Sequence, residues 1–135
     1  MSIDLTLLPV NCELPNMCYS HTVLPLQTNS RDLFELIETL TKEKSNSMDF
    51  ITEGDNLSGF IPDNFSCYLA TNKEGETAYG NLKEDAYGSP LKWVRASQLQ
   101  SIVHHKAIQE NPMNKQAFAY IMACQPQQKI VLFWS

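Results

Sequence analysis

Lys129-Ile130-Val131-Leu132-Phe133-Trp134 closes the chain with a strong strand. It is far too short to cross a bilayer, which takes about 20 apolar residues. Its partner is expected at the other end of the sequence. Ile3–Leu8 mixes apolar and β-branched residues and stops at Pro9. These two terminal strands are natural neighbours in the centre of a sheet.

Between them the elements alternate. Met17–Leu26, with Tyr19, Thr22 and Val23, reads as a second strand. Asn29 or Ser30 then caps a helix, with Asp32 and Glu35 near its positive end. Leu33, Phe34, Ile37 and Leu40 form one apolar stripe at helical period, and the helix runs out at Lys42–Lys44. Ser45–Asn64 has little periodicity and reads as a long loop, a feature that in small domains tends to be functional or mobile. Phe65–Thr71 and Glu76–Gly80 form a hairpin around Asn72-Lys73-Glu74-Gly75. Leu91–Val94 gives a short extended piece.

Ser97-x-x-Gln100 has the capping-box pattern and opens a helix carrying Leu99, Ile102, Val103 and Ala107. Asn111-Pro112 starts the next helix, with proline at its first position. Met113, Ala117, Tyr120, Ile121 and Cys124 form its main stripe, and Phe118 and Met122 widen it. A helix apolar over so much of its circumference is either deeply buried or an oligomer interface. Pro126 ends it. The order β-β-α-β-β-α-α-β predicts an α+β domain over residues 1–135. Its sheet is mostly antiparallel, with one helix after the second strand and two C-terminal-half helices packed on one face.

The chain has 135 residues, 43% of them hydrophobic, and a formal net charge of −5. That length allows a core without a covalent staple. The acidic balance argues against a protein that neutralises long nucleic acid, which needs clustered Lys and Arg. It leaves room for a small nucleotide, held by one or two arginines, or for a basic protein partner. Met1-Ser2-Ile3-Asp4 lacks the basic and apolar regions of a signal peptide, so the expected location is the cytoplasm. Cys12, Cys18, Cys67 and Cys124 lack metal-knuckle spacing and read as reduced thiols.

No P-loop, dinucleotide fingerprint, nucleophile elbow or zincin motif is present. Cys18 and His21 fall on opposite faces of an extended strand. His104-His105 diverge on a helix and read as solvated surface residues. No catalytic residue, metal or cofactor is assigned.

The densest polar and aromatic chemistry lies in Tyr79–Arg95. Asp85 can bond the backbone amides of Ala86-Tyr87-Gly88, with Gly88 at positive φ and Pro90 stiffening the exit. Turn-making does not account for Asn81, Tyr87, Lys92 and Arg95. Together they offer an amide for base edges, a ring for stacking and cations for phosphate. Arg31 and Arg95 are the only arginines. Arg31, beside a helix N-terminus, suits either an anion or an ion pair with Asp32 or Glu35. The candidate ligand-binding set is therefore Asn81, Asp85, Tyr87, Lys92, Arg95 and Arg31.

Tyr79-Gly80-Asn81, Glu84-Asp85-x-Tyr87-Gly88-x-Pro90-Leu91, Trp93-Val94-x-Ala96 and Leu99 resemble small proteins of bacteriophages and prophages. Ile3–Pro9 and Ser20–Leu24 resemble the same group. In layout the chain is also similar to the Thoeris anti-defence sponges. That resemblance implies an oligomer that sequesters a cyclic nucleotide immune signal without cleaving it. Asn81, Tyr87 and Arg95 would then contact base, ring and phosphate, and Pro112–Cys124 would pack subunits. The alternative is an acidic inhibitor of a host defence protein, such as a CRISPR effector, acting through Glu53–Asp63.

Overall fold

The computed structural model describes residues 4–14, 17–28, 31–42, 66–71, 77–81, 84–89 and 91–135. The expected 45–64 loop, Pro90 and the 72–75 turn lie outside the described residues. So do the helix-capping positions Asn29 and Ser30.

The fold is α+β. The C-terminal strand β8 (Lys129–Trp134) pairs antiparallel with β1 (Asp4–Pro9), from Leu5↔Trp134 to Pro9↔Ile130. The pairing is extended at both ends. Asp4 and Ser135 exchange amide bonds of 2.9 and 2.8 Å, and Val10 N–H donates to the Lys129 carbonyl at 2.9 Å. The terminal strands are thus central neighbours, as expected. β4 (Leu24–Gln27) flanks β1 and β7 (Lys92–Arg95) flanks β8, giving a four-stranded antiparallel sheet ordered β4-β1-β8-β7.

A second four-stranded sheet, ordered β2-β3-β5-β6, was not anticipated. It contains β2 (Asn11–Leu14), β3 (Met17–Ser20), β5 (Ser66–Thr71) and β6 (Thr77–Asn81). The expected hairpin is there as β5 and β6, while β3 and β5 run parallel. The single strand expected over Met17–Leu26 is two strands in different sheets. The chain leaves one sheet for the other at His21–Val23, where Ser20 Oγ donates to the Thr22 carbonyl at 3.1 Å.

β8 is covered on both faces, which explains the unbroken apolar run from Ile130 to Trp134. On one face Ile130, Leu132 and Trp134 join Leu5, Leu7 and Val94 in the main core. Helix α1 (Arg31–Lys42) covers this face with buried Leu33, Ile37 and Leu40. On the other face Val131 packs with Leu8, Leu91, Trp93 and Cys67 of β5, so the second sheet meets the first there. Each fully buried leucine contributes about 2 kcal/mol by transfer from water.

The C-terminal half holds three helices rather than two. α2 (Ala96–Gln100) starts one residue before the expected cap, because Gln98 Oε1 accepts the Arg95 N–H at 2.9 Å. Only the Gln98 half of a capping box is present, since an arginine side chain has no acceptor, and Ser97 lies inside the helix. Turns at 101–104 separate it from α3 (Lys106–Gln109). His105 is half-buried rather than solvated, and its Nδ1 accepts the Ala107 N–H at 3.1 Å to cap α3. α4 (Pro112–Ala123) starts as read, with Asn111 Oδ1 accepting from Met113 and Asn114. Ala117, Phe118 and Ile121 face the core, while Met113, Tyr120 and Met122 are exposed.

Asn114 is the buried polar residue that ties this layer together. Its Oδ1 accepts the Gln27 N–H at 2.7 Å, and its Nδ2 donates to Gln27 O at 2.8 Å and Ala107 O at 3.1 Å. One side-chain amide thereby satisfies both outward backbone groups of Gln27 on the edge strand β4, as another strand would.

Candidate functional site

Trp134, at the end of β8, meets Phe34 of α1 edge-on, with ring centroids 5.0 Å apart and an interplanar angle of 61°. The turn 85–89 lies against this corner because Ala86 N–H donates to the Trp134 carbonyl at 3.0 Å. Within the turn, Asp85 Oδ1 accepts the amides of Tyr87 at 2.9 Å and Ser89 at 3.0 Å. The Asp85 N–H donates to Ser89 O at 2.9 Å, and Gly88 takes a φ of +79°. The sequence reading of Asp85 and Gly88 as turn-makers matches this geometry.

Between α1 and the turn lies a cleft of about 260 Å³, lined by Phe34, Glu38, Asp85, Tyr87, Ser89 and Trp134. Three rings and two carboxylates converge there. Phe34 and Glu38 are one helical turn apart and so share a face of α1. Tyr87 is 54% exposed, a large ring that the fold itself leaves open to solvent. The cleft can stack a planar group and accept hydrogen bonds from it. Its carboxylates oppose an anion.

Of the expected ligand-binding residues, the structure brings together Asp85 and Tyr87. Arg95 is elsewhere. It is paired with Lys129 in register, at the opposite end of β8 from Trp134. Five residues at about 3.4 Å each put roughly 17 Å of strand between those ends. Arg95 Nη1 donates to Gln127 O at 2.9 Å, and its guanidinium lies 5.4 Å from the centre of the Trp93 ring. Lys129 Nζ lies 6.0 Å from the same ring. Trp93 Nε1 is buried with no hydrogen-bond partner among the described residues. Lys92 is exposed on β7, opposite Leu132, outside the cleft lining. Asn81 ends β6 in the second sheet, in register with Ser66.

Arg31 opens α1 one turn before Phe34 and is not among the residues that line the cleft. Its Nε contacts Glu35 Oε1 at 3.0 Å, the ion pair that the sequence had offered as one alternative. Both side chains are largely exposed, so the pair contributes little and exchanges readily.

Sequence reasoning missed Phe34, Glu38, Ser89 and Trp134. Phe34 was absorbed into the helical stripe and Trp134 into the strand. The available signal was a Phe-x-x-x-Glu pair on a helix, which places a ring and an acid side by side.

Among the described residues no group of three His, Cys, Asp or Glu side chains could hold a metal ion. Burial pushes the Cys124 thiol up, and its Sγ donates to Tyr120 O at 3.4 Å, the opposite of an activated nucleophile. No helix among the described residues is long and apolar enough to cross a membrane. No known protein family, curated protein or solved structure matches this chain.

Proposed function

We propose that this protein is a non-enzymatic binding protein that sequesters a small nucleotide signal, and that the 34–38/85–89 cleft receives the base. The observation that carries the reading is the convergence of Phe34, Tyr87 and Trp134 on one open cleft beside two carboxylates. Aromatic faces bind bases by stacking, and carboxylates accept from their amino groups. At about 260 Å³ the cleft is smaller than the usual site for a whole drug-sized ligand, which suits one ring of a larger molecule.

The resemblance of the 79–99 blocks to small bacteriophage proteins supports the biological part of the proposal. In that setting the chain acts in the cytoplasm of an infected bacterium and removes a cyclic nucleotide that would trigger immunity. Self-association is part of the same proposal, through Met113 and Tyr120, which α4 leaves exposed on one flank. Light scattering tests that part, and a monomer at micromolar concentration overturns it.

Titration calorimetry with cyclic ADP-ribose isomers and cyclic oligonucleotides tests the main reading. Saturable binding to one of them, with the ligand recovered intact and affinity lost in Tyr87→Ala, supports it. Absence of heat with every member overturns it, as does recovery of a cleaved product.

A further inference from the structure

We propose that His105 makes α3 an acid-sensitive latch, closed while its imidazole is neutral and released when the ring takes up a proton. The latch lies in the helical layer and does not depend on what the cleft binds.

Local geometry fixes the state of the ring. Only a ring nitrogen without a proton can accept a hydrogen bond. His105 Nδ1 accepts the Ala107 N–H at 3.1 Å, so the closed latch holds neutral imidazole with its proton on Nε2. A proton on Nδ1 turns that atom into a donor facing a donor, and the ring must swing away. Imidazoles make this change at about pH 6.5.

The cap matters because α3 is four residues long and gains little from its own hydrogen bonds. The Ile108 and Gln109 amides both donate to the His105 carbonyl, at 3.0 and 3.1 Å, which leaves the Ala107 amide to the ring. The same short helix carries the fully buried Ile108. It also presents Ala107 O to Asn114 Nδ2 at 3.1 Å. Release of α3 therefore loosens one of the three bonds of the side chain that completes the edge of β4.

Neighbouring charges leave the direction of the effect intact. On its own segment, His104, Lys106 and Glu110 are all exposed. α4, which packs on α3, brings Lys115 and Tyr120, both exposed, and ends at the half-buried Cys124. α2 and β4 carry no titratable side chain. Lys106 and Lys115 oppose a further positive charge and Glu110 favours one, each through solvent that screens it. The closed cap excludes a proton that the unfolded chain accepts. Stability from the latch is thus full above the imidazole range and is lost as pH falls through it.

The test follows the full chain by NMR from about pH 7.5 to about pH 5, which spans the imidazole range. It reads the His105 ring and the helix-dependent Cα shifts of residues 106–109, with urea unfolding at both ends of the range. His105→Asn is the informative variant, because an asparagine oxygen caps helices and does not titrate. His104→Gln controls for the adjacent imidazole. As pH falls, the Cα shifts of 106–109 should move toward coil values in step with protonation of the His105 ring, while those of β8 hold. The folded-to-unfolded ratio should fall about fivefold further in the natural chain than in His105→Asn, and as far in His104→Gln as in the natural chain. Helical shifts that persist once the ring is protonated overturn the latch, and so does a ring that stays neutral to the acid end. An equal acid loss in His105→Asn overturns it as well. If that variant fails to fold, the ring and the Cα shifts of the natural chain decide alone.

Discussion

Asn114→Leu should be among the most damaging single changes in the helical layer, although position 114 is far from the cleft residues in sequence. The substitution keeps the side chain's approximate size and removes three hydrogen bonds, two to Gln27 and one to Ala107. Asn114 is 1% exposed, so water has little access to the groups left behind. Each lost bond costs about 1 kcal/mol net, and a buried donor left without a partner costs about 1–3 kcal/mol. The Gln27 N–H is such a donor, so the total is about 4 kcal/mol. Domains of this size have about 5–15 kcal/mol of stability in all. Urea unfolding followed by circular dichroism should therefore show a lower midpoint at unchanged slope, and a melting temperature lower by roughly 10–15 °C. A loss below about 1 kcal/mol would mean that Asn114 does not act as a substitute strand for β4. Asn114→Asp sharpens the test. It keeps the acceptor for Gln27 N–H but turns a carboxylate toward two carbonyls, so it should be no better than leucine at neutral pH.

Other outcomes follow from single contacts. Gly88→Ala should cost about 1–2 kcal/mol, all of it conformational, because φ is +79° and the nearest atom to an added Cβ is Glu84 Oε2 at 3.9 Å. Thermal melts check this, and an unchanged melting temperature contradicts it. Tyr87→Ala should leave stability within about 0.5 kcal/mol, as exposed positions do, while weakening ligand binding about tenfold. Matched loss of stability and affinity would make Tyr87 a packing residue. The raised Cys124 thiol predicts slow alkylation in the folded state at pH 8, read by peptide mass mapping against the urea-unfolded chain. Since the folded pKa exceeds the ordinary 9.0, the contribution to stability is full below pH 9 and declines as pH rises toward the folded value. Alkylation as fast folded as unfolded contradicts this.

Local chemistry was legible in the sequence where a few adjacent residues determine the outcome. Asn111-Pro112 sets the start of α4, and Asp85 with Gly88 sets a turn, because each satisfies its own backbone within four residues. The central pairing of β1 and β8 was legible from their apolar content. The second sheet was not. Its strands β2 and β3 are four residues each, and the transfers between sheets at Val10 and at His21–Val23 depend on which partner each strand finds. The five consecutive apolar residues of β8, Ile130 to Trp134, record that both its faces are covered, a sign that something beyond the helices packs on the sheet. The candidate cleft was half legible. Tyr87 stood out because turn-making left its ring unexplained, while Asp85 was read first as a turn-maker. Arg95 lies away from this cleft, because the strand that follows Tyr87 carries it to the far end of β8. Phe34, Glu38 and Trp134 come from two other elements and meet only through the fold.

The proposal that the cleft binds a base is tested most directly by the fluorescence of Trp134 itself. The chain has two tryptophans, and Trp93→Phe leaves Trp134 as the reporter while removing a buried N–H that lacks a partner among the described residues. Titrating this variant with GMP should quench the emission saturably, and Tyr87→Ala in the same background should weaken the response about tenfold. Emission unaffected by GMP, and by the cyclic nucleotides tested beside it, would contradict the placement of a base against Trp134.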